Sequence, residues 1–130
     1  MSDRAQVKAF YDGAPEAEWA RLEQNPWEFE INCRYIDRYV QPGQSVLDLG
    51  GGPGRYSIHL AERGCAVTLA DLSDGNVALA RKKAAEAGVE LTAVQADALD
   101  GGTLPKGPFD HVICMGPLYH LLKRRSGKRR

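Results

Sequence analysis

The stretch "VLDLGGGPG" opens at Val46 and places Gly50, Gly51, Gly52 and Gly54 within five residues, directly behind an apolar run that carries Asp48. Glycine at this density makes a tight turn and lets a ligand lie against bare main chain. A dinucleotide is one ligand that uses such a loop. Its GxGxxG fingerprint needs a further glycine at position 55, after Gly50 and Gly52, and the chain has Arg55 there. A pyrophosphate held at the start of the following helix would also meet Asp48 as a like charge. The spacing Asp48-x-Gly50-x-Gly52-x-Gly54 suits instead a ligand without phosphate that carries positive charge.

Such a loop works only at the end of a strand, and the surrounding pattern supplies one. "SVLDL" (45–49) reads as a strand and Arg55–Arg63 as a helix closed by Gly64. "AVTLAD" (66–71) is a second strand. The alanine-rich run from Asp74 to Gly88 is a second helix. "ELTAVQAD" (90–97) and "FDHVICMG" (109–116) are a third and a fourth strand, separated by the turn-rich "GGTLPKGP". Strands alternating with helices mean βαβ units and a parallel α/β sheet, in which ligands lie beyond the carboxyl ends of the strands. Ahead of the sheet, "NPWE" predicts a helix with Asn25 as N-cap and Pro26 in its first position. Its apolar stripe is Trp27, Ile31 and Tyr35, widened by Ile36 and Tyr39, and it ends before "QPG" at 41–43.

The order and spacing of these motifs resemble class I S-adenosylmethionine-dependent methyltransferases, from about Tyr11 to Leu122. The cofactor's sulfonium and ammonium suit an acid beside the loop. The resemblance implies a Rossmann-like sheet of order 3-2-1-4 under an N-terminal helical cap. It implies cofactor contacts at Asp48, Gly50, Gly51, Gly52 and Gly54. It assigns Asp71, about 20 residues beyond the loop, to the ribose hydroxyls. Leu72 would pack on the adenine, and Asp97 and Ala98 would lie near its amino group. Met115 and Gly116 would lie along the cofactor, and Pro117 to His120 near the acceptor. Arg34 would reach the cofactor carboxylate, since a guanidinium forks onto carboxylates, and Tyr11 would cap the site. His120 and Tyr11 are the candidate general bases, needed only where the acceptor is protonated. Taken singly, these residues have plainer readings: Asp71 as a helix cap, Asp97 as a surface acid, Arg34 as a residue paired on its helix face, Tyr119 and His120 as packing residues.

The acceptor reads as a small molecule. Gly116-Pro117-Leu118-Tyr119 lacks the side-chain amide or acid that opens the corresponding motif of enzymes methylating nucleobase amino groups. Charge agrees. Six basic residues (Lys123, Arg124, Arg125, Lys128, Arg129 and Arg130) crowd the last eight positions; the rest holds 11 of the 17 basic groups against all 17 acidic ones. An acidic body is a poor nucleic-acid surface outside that tail. No apolar run approaches the ~20 residues of a membrane span, and the first residues hold no signal-peptide core, so the chain reads as cytoplasmic. Cys33, Cys65 and Cys114 read as reduced thiols buried as small apolar groups, and without CxxC or HxxxH no metal site is expected.

The reading divides the chain into a helical cap (1–42), a cofactor-binding half-domain (43–122) and a disordered basic tail (123–130). The resembled family usually continues with strands 5–7, absent here, so the fourth strand is expected at an open edge. A truncated product is the preferred explanation; a functional tail and a homodimer through the edge are the others. The function expected is methyl transfer to a small-molecule acceptor. A non-catalytic cofactor-binding module, and an interaction protein using the edge or tail, are the alternatives.

Overall fold

The computed structural model describes residues 15–24, 26–97 and 100–115. Helices α1 (Pro15–Gln24) and α2 (Pro26–Tyr39) precede strand β1 (Ser45–Leu49) and helix α3 (Arg55–Glu62). Then follow β2 (Ala66–Asp71), α4 (Asp74–Ala87), β3 (Thr92–Gln95) and β4 (His111–Ile113). All pairings are parallel and the order is β3-β2-β1-β4, as the family resemblance implied.

Alternation along β1 sorts the core. Val46 joins Cys33, Ile36, Val40, Tyr56 and Leu60 on the face covered by α2 and α3. Leu47 points the other way and packs with Ala70 and Ala96 against Leu104 and Phe109 of the long loop before β4. Asp48, next on the Val46 side, is therefore carried into the helix-covered face, a consequence of the two-residue period of a strand. At the end of α3, Gly64 (φ +94°) takes the left-handed turn and the chain re-enters the sheet, with Cys65 N–H donating to the Leu60 carbonyl at 3.1 Å.

Three expectations change. First, four of the five stripe residues on α2 face water: Trp27, Ile31, Tyr35 and Tyr39 are 58–70% exposed, and Ile36 alone of the stripe is buried. It packs with Phe29 and Cys33, with Val40 just beyond the helix. Phe29 stacks on Tyr56 with ring centroids 5.1 Å apart, and Asn32 donates to the Tyr56 hydroxyl at 3.0 Å. The helix has apolar residues on two sides, and the position of α3 decides which side is buried. Asp37 secures that docking by accepting from both His59 Nε2 and Arg63 Nη1 at 3.0 Å.

Second, β3 and β4 are shorter than their apolar runs. β4 pairs only His111–Ile113 with Val46–Asp48. Phe109 leaves the strand for the far-face core, and Asp110 turns its carboxylate onto the Ser45 N–H at 2.8 Å. As expected of an edge, β4 has one paired neighbour among the described residues, and Val112 is 55% exposed. Third, Cys33 and Cys65 are buried but Cys114 is exposed, because it follows the last residue of that edge strand. No described helix is long and apolar enough to cross a membrane, and no cluster of potential metal ligands occurs among the described residues.

Candidate functional site

The glycine loop joins the end of β1 to α3 and is held from below by two acids. Gly50 N–H continues the sheet by donating to the Ala70 carbonyl at 2.8 Å. Gly54, at φ +93°, is the N-cap of α3 and offers no side-chain cap. Gly51 is glycine for want of room: a Cβ there would stand 2.7 Å from Asp48 Oδ2 and 2.8 Å from Leu69 Cδ1. The close approach that sequence reasoning reserved for a ligand is thus also made by the protein's own carboxylate.

Asp48 is 1% exposed. Its Oδ2 accepts the Ser57 hydroxyl at 2.7 Å, while its Oδ1 has no hydrogen-bond partner. Burial, only partly offset by the Ser57 hydrogen bond and reinforced by the charge of Asp71, pushes its pKa up to about 7. Ser57 was missed by sequence reasoning. Nine residues beyond Asp48 and two beyond Arg55, it had no motif to announce it; only the packing of α3 on β1 brings it to the acid.

Asp71 ends β2 and is 4% exposed. Its Oδ2 accepts the Gly52 N–H at 2.7 Å. Its Oδ1 accepts the Ser73 N–H at 3.0 Å and lies 3.4 Å from Asn76 Nδ2. Ser73 is the N-cap of α4, taking the Asn76 N–H at 3.1 Å. The cap reading of Asp71 thus passes to Ser73, and Asp71 joins the glycine loop to the start of α4. Asn76, fully buried, is a second residue that sequence reasoning did not pick out.

The remaining candidates are spread more widely. Leu72 is half-buried and its carbonyl accepts from Gln95 Nε2 at 3.0 Å. Asp97 is half-buried and its N–H donates to Thr103 Oγ1 at 2.9 Å, which fixes the backbone after β3. Met115 is half-buried against the core cluster beneath α2 and α3. Arg34 lies on the solvent face of α2, paired with Glu30 at 3.2 Å, and no contact joins it to the loop. Tyr11, Asn25, Ala98, Gly116 to His120 and the tail 123–130 lie outside the described residues.

A cleft of about 410 Å³ lies on the outer side of the helical layer, lined by Trp19, Phe29, Arg55, His59 and Lys83 among others. The Arg55 guanidinium stands over the Phe29 ring at 4.1 Å and the Trp19 ring at 5.2 Å. All of the lining belongs to helices α1–α4 and none to the strand ends. The chemistry expected of the loop therefore belongs to the strand ends and not to this cleft.

Comparison with known proteins agrees with this geometry. Residues 46–128 match the family model described as "Methyltransferase domain". A ubiquinone biosynthesis O-methyltransferase of Azotobacter vinelandii is 32% identical over 123 residues, covering 92% of this chain and 53% of the relative. The chain spans about half the length of the curated relatives it matches. The magnesium protoporphyrin IX methyltransferase of Synechocystis PCC 6803, solved with bound SAM, superposes with a TM-score of 0.74 at 24% identity, over 92% of this chain and 64% of that one; at this identity the likeness speaks for the fold. A SAM-dependent methyltransferase from Geobacter sulfurreducens, in complex with S-adenosylhomocysteine, is 31% identical with a TM-score of 0.54, over 62% of this chain and 33% of that one.

Proposed function

Because the chain belongs to the methyltransferase-domain family, we propose that it binds S-adenosylmethionine beyond the carboxyl ends of β1 and β2 and serves methyl transfer to a small-molecule acceptor. The observation that carries this reading is the pair of buried acids, Asp48 and Asp71, beneath one side-chain-free loop. The orphaned Oδ1 of Asp48 fits a ligand that brings positive charge. Asp71 stands at the end of β2 as an acid, and a carboxylate is an acceptor group suited to ribose hydroxyls.

The cofactor, when bound, supplies a methyl carbon already activated by its sulfonium. The chain's part is to bind and orient. Asp71 holds the ribose and fixes the loop, and the bare backbone of Gly50 to Gly54 lets the ligand approach. Asp97 and Ala98 serve the adenine edge, Leu72 its face, and Met115 with Gly116 the length of the cofactor. The O-methyltransferase relatives support a hydroxyl acceptor, whose proton His120 or Tyr11 would take. The edge of β4, which has one paired neighbour among the described residues, supports pairing with a second copy.

Calorimetric titration of the full chain with S-adenosylhomocysteine tests the cofactor site. Micromolar binding that weakens in Asp71→Ala supports it; an unchanged affinity in that folded variant overturns it. Formation of S-adenosylhomocysteine on incubation with hydroxylated aromatic acceptors then separates an enzyme from a binding module.

A further inference from the structure

Asp48 occupies an unusual position for a carboxylate. It is sealed from solvent, one oxygen is unpartnered, and no ion pair reaches it among the described residues. The groups that face it are Ser57 from α3, Asp71 from the end of β2 and Cys114 from the residue after β4. None of them is a cation. Partial desolvation of the otherwise exposed Cys114, with the charge of Asp48 adding to it, raises its thiol, so that group stays neutral. A carboxylate deprived of both water and a counter-ion is disfavoured against its neutral acid. Directly above it runs Gly51, whose missing side chain leaves the least possible material between this acid and whatever lies on the loop.

We propose that Asp48 is the residue through which this chain reads the charge of its cofactor: its carboxyl holds a proton in the cofactor-free chain and releases it to solvent when S-adenosylmethionine settles over the glycine loop. The role rests on the cofactor reading above. The O–H bond of the acid breaks, the proton passes to a buffer base, and the carboxylate remains beneath the cationic ligand. Linkage is reciprocal, so an ionised Asp48 must also bind the cation more tightly. S-adenosylhomocysteine lacks the sulfonium and carries one positive charge fewer, so it draws out less of the proton. Asp48 thereby favours the charged methyl donor over its neutral product.

The test is calorimetry of the full chain near pH 7, with both ligands, in phosphate and in Tris. The two buffers differ in ionisation enthalpy, so the difference in observed heat counts protons released. Release with S-adenosylmethionine, smaller release with S-adenosylhomocysteine, and loss of release in Asp48→Asn are expected. Affinity for S-adenosylmethionine should fall several-fold from about pH 7.5 to about pH 6 in the wild type and stay level in the variant. Heats that do not depend on buffer in the wild type overturn the proposal. So does release that persists in Asp48→Asn, which would assign the proton elsewhere. Absence of any binding heat with either ligand would instead overturn the cofactor site and Asp48's role together. Should Asp48→Asn fail to fold, the Asp48 carboxyl ¹³C resonance of the wild-type chain decides. A shift from acid to carboxylate on adding S-adenosylmethionine supports the role, and an unmoved resonance overturns it.

Discussion

The Gly52 N–H donates to Asp71 Oδ2 at 2.7 Å, so the acid at the end of the second strand holds the loop at the end of the first. The loop and the acid are one unit, tied across 19 residues of sequence by a buried, charge-assisted hydrogen bond. Removing the carboxylate should therefore cost stability as well as ligand. Asp71→Ala leaves the Gly52 and Ser73 N–H groups without their acceptor, and a loss of about 1–3 kcal/mol is expected in urea denaturation. S-adenosylhomocysteine binding in the folded variant should weaken by at least about tenfold, or about 1.4 kcal/mol.

Gly51 tests the packing of the loop on Asp48. A methyl group there meets Asp48 and Leu69 at under 3 Å, within a core that has no slack. Gly51→Ala should destabilise by about 1–3 kcal/mol and weaken ligand binding with it. Gly101→Ala, where a Cβ would meet nothing within 4 Å, should leave both unchanged. Thermal denaturation of the two variants side by side makes the comparison.

The two faces of α2 give a third test. Ile36 is 7% exposed and packs against the sheet, whereas Ile31 is 58% exposed. Ile36→Ala should cost about 2–4 kcal/mol and Ile31→Ala no more than about 0.5 kcal/mol. The opposite ranking in chemical denaturation would mean that the helix docks by its aromatic stripe.

Stability of the cofactor-free chain should carry the signature of Asp48. Its pKa stands at about 7 when folded against an ordinary value of 3.8. Between those values the folded chain keeps a proton that the unfolded chain has lost. Unfolding then releases it, and rising pH favours unfolding. The stabilisation is fully present below pH 3.8 and is lost as pH rises to about 7. The stability of the wild type minus that of Asp48→Asn, measured by urea denaturation at several pH values, should decline across this window and flatten above it. A difference that is level with pH would count against a protonated Asp48.

Ser73 is a helix cap whose removal can be measured. Its hydroxyl oxygen accepts the Asn76 N–H at 3.1 Å, and Ser73→Ala should cost about 1 kcal/mol. A shift of a few degrees in the thermal midpoint would report it.

Much of the site was legible in the chain because it is written in local chemistry. Glycine spacing after a strand, an acid at the end of the next strand and alternating strands and helices each follow from rules that span a few residues; they make the sheet parallel, while the order 3-2-1-4 came from the family resemblance. What was not legible depends on partners distant in sequence. Ser57 reaches Asp48 only because α3 lies on β1. Asp37 reaches His59 and Arg63 only because α2 packs beside α3.

The sequence by itself determined the elements, their order and the two acids beneath a bare loop, since propensity, alternation and turn chemistry act between near neighbours. The tertiary structure alone decided which side of α2 is buried, how little of the fourth apolar run pairs as a strand, and that Asp48 is shut away from water with one oxygen unpartnered. Burial and charge are properties of an environment, and no single stretch of chain contains its own environment.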